Sequence, residues 1–114
     1  MKEKWKDIPG YAGLYKVSNF GNVKRIAGFG CRKDRLCGLY NNSRGYLKVI
    51  LCKENVRKNN LIHRLVALTF IPNPDKFPVI NHIDENQQNN HVNNLEWCTQ
   101  KHNVNYSKNL RKNC

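Results

Sequence analysis

The sequence lacks long apolar runs, and none of its hydrophobic stretches approaches the ~20 residues needed to cross a bilayer. Its first six residues are too polar to begin a secretory signal. We therefore expect a cytoplasmic protein that makes no membrane contact. The five cysteines form no CxxC pair, and an odd number favours reduced thiols over a disulfide framework. A structural zinc site formed by Cys31, Cys37 and a histidine is an alternative use for two of them.

Acidic residues are also scarce. Eight of them face 20 lysines and arginines, which gives a net charge of +12 with the basic residues spread over both halves of the chain. A polyanionic partner is the simplest explanation, and aromatic residues among the cations favour nucleic acid over a membrane surface. A chain of 114 residues can form one domain or two small subdomains with a modest core.

The most informative stretch is residues 79–103. Residues 79–83 and 95–99 alternate apolar and polar side chains, as half-buried strands do. Between them lie eleven residues, of which five are asparagine and two are glutamine. Such a loop buries little apolar surface, so we expect side-chain amides that bond to the backbone to hold it.

A helix is predicted after the second of these strands, because Thr99 can cap its first turn. This helix would carry Asn103 back toward the first strand, so that His82, Asn94 and Asn103 form one small site. A neutral imidazole beside a hard divalent cation can activate water and stabilise a leaving oxygen, which is what phosphodiester cleavage requires. Carboxamide oxygens and substrate phosphates are typical ligands of Mg²⁺.

The spacing of His82, Asn94 and Asn103, in the wording NHID…NN…NLEW…N, resembles the HNH nucleases and in particular their phage and intron-encoded branch. The resemblance implies an α+β fold in two parts. Residues 1–52 would form a small β-rich DNA-binding region. Residues 53–114 would form the ββα-metal nuclease unit with a basic C-terminal helix.

The same resemblance implies roles for the site residues. His82 matches the general base, Asn94 the residue that orients the loop and the histidine, and Asn81 and Asn103 the ligands of one Mg²⁺ or Mn²⁺. Many family members have aspartate where this chain has Asn81, so the ligand oxygen is kept without its charge. Two neutral amides attract a cation weakly. We therefore expect weak cation binding by the free protein, and tighter binding in Asn81→Asp.

The N-terminal half contains a second resemblance. Residues 14–18 and 23–26 flank an Asn/Gly turn and predict a hairpin. The phrase WKDIPGYAGLYKVSNFGNVKRI resembles the modular DNA-binding motif that precedes HNH domains in nicking homing endonucleases. Further along, residues 46–52 predict a strand, residues 54–60 a turn with an exposed basic tip, and residues 61–70 a helix.

These features together favour a metal-dependent HNH endonuclease that hydrolyses phosphodiester bonds in double-stranded DNA. A monomer with one site would nick one strand in each event. The main alternative is a DNA-binding protein that kept the fold and lost catalysis, and a third is a metal-free RNA-binding or assembly module. The residues expected to contact DNA are Lys16, Lys24, Arg25, Lys48, His63, Arg64 and Lys101.

The charge balance predicts that DNA binding weakens steeply with salt. If about five phosphates are neutralised, the logarithm of the association constant falls against that of the salt concentration with a slope near −0.9 per phosphate. Fluorescence anisotropy with a labelled duplex, between about 50 and 200 mM salt, measures this slope. A flat dependence would contradict the interpretation of the charge.

Overall fold

The computed structural model describes residues 2–28 and 33–99. Within these ranges it contains nine short strands, one α-helix and one 3₁₀ turn, an α+β combination as expected. In chain order the elements are β1 Trp5–Asp7, β2 Tyr15–Ser18, β3 Val23–Arg25, β4 Arg35–Leu36, β5 Tyr40–Asn41, β6 Leu47–Lys53, β7 Val56–Leu61, α1 Ile62–Phe70, β8 Val79–His82, the 3₁₀ turn Val92–Asn94 and β9 Leu95–Cys98.

The first four strands form an antiparallel sheet in the order β1-β2-β3-β4. The predicted hairpin is confirmed as β2 and β3, with Val17 opposite Val23. Its turn is closed by Ser18, whose buried hydroxyl accepts from the backbone N–H groups of Phe20 and Asn22, both at 3.1 Å. Hydroxyl bonds of this kind stabilise a turn because they satisfy donors that no strand can reach.

The second sheet has the order β5-β6-β7. The strand predicted at residues 46–52 is confirmed as β6, and its alternation buries Val49 and Leu51 at 1% and 0% exposure. The turn predicted over residues 54–60 is wrong. It consists of Glu54 and Asn55 alone, both with positive φ as in a two-residue hairpin, and the polar residues after them form β7 against β6.

One hydrophobic cluster joins both sheets and the helix. The boundary suggested between residues 52 and 53 falls inside the β6–β7 hairpin, and the Cys52 backbone N–H donates to the Tyr15 hydroxyl at 3.1 Å. The structure therefore does not separate the chain at that point. The buried members of the cluster are Ile8, Tyr15, Val17, Val23, Val49, Leu51, Ile62, Leu65, Val66 and Leu95.

The helix predicted at residues 61–70 is confirmed within one residue as α1. It packs Ile62, Leu65 and Val66 into the core, and Pro72 lies just beyond its end, where a proline cannot continue a helix. The Trp97 indole N–H donates to the Ile71 carbonyl at 3.1 Å, which ties β9 to the end of the helix. Within the described ranges no helix is both long and apolar enough to span a membrane.

Candidate active site

The predicted ββ part of the site is an antiparallel ribbon of β8 and β9. Its register pairs Asn81 with Glu96 and His82 with Leu95. Because side chains alternate along a strand, the first pair lies on one face of the ribbon and the second pair on the other. Leu95 belongs to the hydrophobic core, so His82 is on the core-facing side.

Asn94 closes the polar loop between the two strands. Its side-chain oxygen accepts from the Asp84 backbone N–H at 3.0 Å, and its side-chain nitrogen donates to Asp84 Oδ1 and to the Asn89 carbonyl, both at 2.9 Å. Its own carbonyl accepts from the Ile83 N–H at 2.8 Å. Asn94 is 9% exposed, so its side chain pairs polar groups of the loop that would otherwise be buried without hydrogen-bond partners.

His82 is held by a residue that the sequence pattern did not single out. Its Nε2 lies 2.8 Å from Oδ1 of Asn90, and the two residues are 6% and 3% exposed. A carboxamide oxygen only accepts, so in a neutral ring with this contact Nε2 carries the hydrogen and Nδ1 keeps its lone pair. This is the tautomer that a base needs if Nδ1 is to take a proton.

The N-terminal hairpin holds the part of the loop that contains Asn90. A Cβ at Gly21, which has φ +87°, would lie 3.0 Å from the Cβ and 3.2 Å from the carbonyl oxygen of Asn90. The Asn19 carbonyl accepts from the Val92 N–H at 2.8 Å, and the Phe20 ring stacks on the adjacent His91 at 4.9 Å between centroids. The motif predicted to contact DNA is therefore also a support of the candidate site.

His63 is not on the solvent-facing flank of its helix. Its ring is 8% exposed and lies 5.0 Å from the His82 ring and 5.1 Å from the Tyr46 ring, between centroids. Burial, then the nearby His82 and Arg64, lowers the pKa of His63 to about 4. At neutral pH it therefore offers no positive charge to a phosphate, and it contacts the candidate base directly.

Of the two predicted cation ligands, Asn81 lies within the described residues. This residue is 2% exposed, and its side-chain nitrogen donates to Glu96 Oε1 at 2.9 Å, which directs Oδ1 away from the carboxylate. An amide oxygen and a neighbouring carboxylate are hard oxygen donors, so these residues fit a Mg²⁺-type cation. Asn103 and Lys101 lie outside the described residues, as does Cys31. In the described part no three His, Cys, Asp or Glu side chains group as a metal site.

The remaining basic candidates lie on different surfaces. Lys16 and Lys24 are cross-strand partners on one face of the first sheet, and Lys24 also lies 3.6 Å from Asp34 and 4.5 Å from the centre of the Trp5 ring. Arg25 and Arg64 are exposed, whereas Lys48 is half-buried in β6. These residues lie on three elements of the fold, the first sheet, β6 and α1.

Asn90, Glu96 and Gly21 were missed by the sequence analysis. Asn90 is one of five asparagines in the loop, and nothing local distinguishes it from the others. Glu96 is the third residue of the NLEW sequence. The strand register that pairs His82 with Leu95 places it opposite Asn81. Gly21 was recognised only as a turn residue.

Comparison with known proteins finds relatives of this chain in sequence and in fold. Residues 3–52 match the NUMOD4 motif. The chain is 40% identical over 101 residues to the DNA endonuclease I-HmuI of Bacillus phage SP01, with 89% of this chain and 55% of the relative covered. The solved structure titled DNA binding and cleavage by the HNH homing endonuclease I-HmuI matches with a TM-score of 0.79 at 36% identity, over 93% of this chain and 58% of that one. The chain is similar to the HNH endonucleases in sequence and in fold.

A further relative is an uncharacterized HNH endonuclease of Acanthamoeba polyphaga mimivirus, 41% identical over 110 residues. The match covers 92% of this chain but 26% of that protein. The chain thus spans about a quarter to a half of the length of these two curated relatives.

Asn94→Ala is expected to destabilise the protein. It removes three side-chain bonds of the loop, and each buried polar group left unpaired costs about 1–3 kcal/mol. The melting temperature measured by circular dichroism should fall by several degrees. Asn59→Ala, at an exposed position of β7, should change stability by no more than about 0.5 kcal/mol. An Asn94→Ala protein with normal melting would refute the role of this side chain.

Because His63 is buried with a lowered pKa, we expect the free energy of unfolding to fall in mild acid. The His63 pKa of about 4 in the fold lies below the ordinary value of about 6.5, so between these values the unfolded chain binds more protons. Stability contributed by His63 is complete above about pH 6.5 and falls as the pH drops, by about 2 kcal/mol between pH 7 and pH 5.

Urea unfolding of the wild type and of His63→Leu at these two pH values measures the effect. The substitution should remove most of the difference between pH 7 and pH 5, because leucine does not titrate. Equal pH dependence in the two proteins would show that His63 is not the group responsible.

Proposed function

We propose that this chain is a metal-dependent DNA endonuclease that hydrolyses phosphodiester bonds in double-stranded DNA one strand at a time. The observation that carries the proposal is His82, buried at the end of β8 with its Nε2 2.8 Å from Asn90 Oδ1, a contact that leaves Nδ1 of the neutral ring able to accept a proton. The kinship with HNH endonucleases supports the same activity, although this chain spans only part of those relatives.

In the proposed reaction His82 Nδ1 takes a proton from water, and the water oxygen attacks the phosphorus while the bond to the leaving oxygen breaks. The proton makes the ring cationic. Its Nε2–H stays bonded to the Asn90 oxygen, which stabilises the imidazolium that forms. The neighbouring His63 ring is uncharged at neutral pH, so it does not oppose the protonation of His82 electrostatically.

Asn81 and Asn103 are the residues proposed to hold one Mg²⁺ or Mn²⁺. When bound, such a cation stabilises charge on the leaving oxygen and on the phosphate. Asn81 contributes an amide oxygen oriented by its bond to Glu96. The proposed role of Asn94 is to keep the loop between β8 and β9 closed.

The outer face of β6 and β7 is proposed as one contact surface for DNA. Cross-strand pairing puts Lys48, Ile50 and Asn59 on this face, together with Arg57. These paired positions carry cations and an amide and no acidic side chain, which suits a duplex whose phosphates dominate the affinity. Lys16, Lys24, Arg25, Arg64 and Lys101 are proposed as further phosphate contacts.

A DNA-binding protein without catalysis is the second candidate. The specific observation in its favour is Asn81, which is neutral where many family members have a carboxylate. Both candidates predict DNA binding, and only the first predicts a nick in supercoiled plasmid when Mg²⁺ or Mn²⁺ is added. A linear product without a nicked intermediate would contradict cutting of one strand at a time.

His82→Ala is expected to lower the nicking rate at least about 10²-fold, because a positioned base typically contributes 10²–10⁴-fold. Its affinity for DNA should be unchanged. The comparison variant is His91→Ala. The His91 ring stacks on Phe20 and accepts from the Asn93 N–H, so its loss affects only the support of the loop and should lower nicking far less.

Agarose gels of supercoiled plasmid measure the rate, and anisotropy measures the binding. His63 does not serve as a control, because its ring contacts His82. If His91→Ala or His102→Ala were folded and as inactive as His82→Ala, the assignment of the base would be wrong.

A further inference from the structure

We propose that Glu96 supplies the negative charge that Asn81 lacks and fixes the orientation of the Asn81 amide toward the cation. The inference rests on the proposed function, because it concerns the metal ligands of the same site. It assigns a part in cation binding to a residue that the family spacing does not single out.

The geometry of the pair is set by the ribbon. Glu96 is the direct cross-strand partner of Asn81, and its Oε1 accepts from Asn81 Nδ2 at 2.9 Å. A carboxylate cannot donate, so only the amide nitrogen can face it. The oxygen of Asn81 is therefore directed to the opposite side. At 2% exposure this side chain has little freedom to turn over.

Glu96 is also the acid whose charge is best placed. The other candidate near this strand, Asp84, uses both of its oxygens within the loop. Its Oδ1 accepts from the Asn86 N–H and from the Asn94 side chain, and its Oδ2 accepts from the Asn89 side chain. These bonds lower the pKa of Asp84, with that from Asn89 the largest cause. They hold its charge on the loop, whereas the Glu96 carboxylate adjoins the amide of Asn81.

This arrangement makes Asn81→Asp costly to the stability of the cation-free protein. The new carboxylate would face that of Glu96 across about the same 2.9 Å, with no hydrogen to bond them. Like charges this close repel strongly in a half-buried site. Without a cation the single substitution should lower the melting temperature. In Asn81→Asp combined with Glu96→Gln, the charge moves to residue 81, and the glutamine amide can donate to it.

The test measures Mn²⁺ binding to the DNA-free protein by the electron paramagnetic resonance signal of the free ion. One carboxylate a few ångströms from a divalent ion in a partly hydrated site changes affinity by about tenfold. Glu96→Gln should therefore weaken Mn²⁺ binding about tenfold. The double variant Asn81→Asp/Glu96→Gln should recover to near the wild-type affinity. Glu54→Gln, which removes the same charge at the exposed β6–β7 turn, should bind like the wild type.

Melting in EDTA and DNA binding in EDTA report whether each variant is folded. Wild-type Mn²⁺ affinity in folded Glu96→Gln would overturn the proposal, as would a double variant that binds no better than Glu96→Gln. A higher melting temperature in EDTA for Asn81→Asp would also contradict it.

The outcome is independent of the proposed reaction, because no arm requires cleavage. If the wild type nicks plasmid while Glu96→Gln binds Mn²⁺ normally, only the role of Glu96 fails. If the Mn²⁺ results are as expected and no plasmid is nicked, the endonuclease proposal fails and the role of Glu96 stands.

Discussion

The hydrogen bond between His82 and Asn90 is the constraint on which the candidate site depends. A carboxamide can set the tautomer and direction of a ring only if its own backbone does not move. Asn90 lies in a loop that buries little apolar surface, so its position comes from polar contacts and close packing. Asn94 closes the loop from within, and Asn19 and Gly21 contact it from the N-terminal hairpin.

The N-terminal motif consequently combines a basic surface with a structural contact to the candidate site. One face of its sheet carries the half-buried Lys16 and Lys24, which suits a nucleic-acid surface, while its turn packs on the loop that holds the base. The buried side chains of the motif also belong to the same hydrophobic core as Leu95 of β9. A side chain at Gly21 would displace Asn90, so the turn and the site are coupled by steric contact.

The β8–β9 ribbon separates the two chemical tasks. Its core-facing side presents His82 to the neutral His63, and its other side pairs Asn81 with Glu96. The separation keeps the base in a buried environment, on the face opposite the Glu96 carboxylate. It also places the carboxylate where it can orient an amide oxygen. The alternation of side chains along two short strands is sufficient to produce this division.

The sequence by itself determined the features that depend on neighbours along the chain. The hairpin of β2 and β3, the strand β6, the helix α1 and the spacing from His82 to Asn94 follow from alternation, helical periodicity and turn residues. The tertiary structure decided what depends on distant partners. Residues 56–61 form a strand because β6 offers its backbone groups, although the side chains of residues 57–60 are polar. His63 is buried beside the rings of Tyr46, which precedes β6, and of His82 in β8. The choice of Asn90 among five asparagines, and of Glu96 as partner of Asn81, follows from strand register and packing, which no local pattern records.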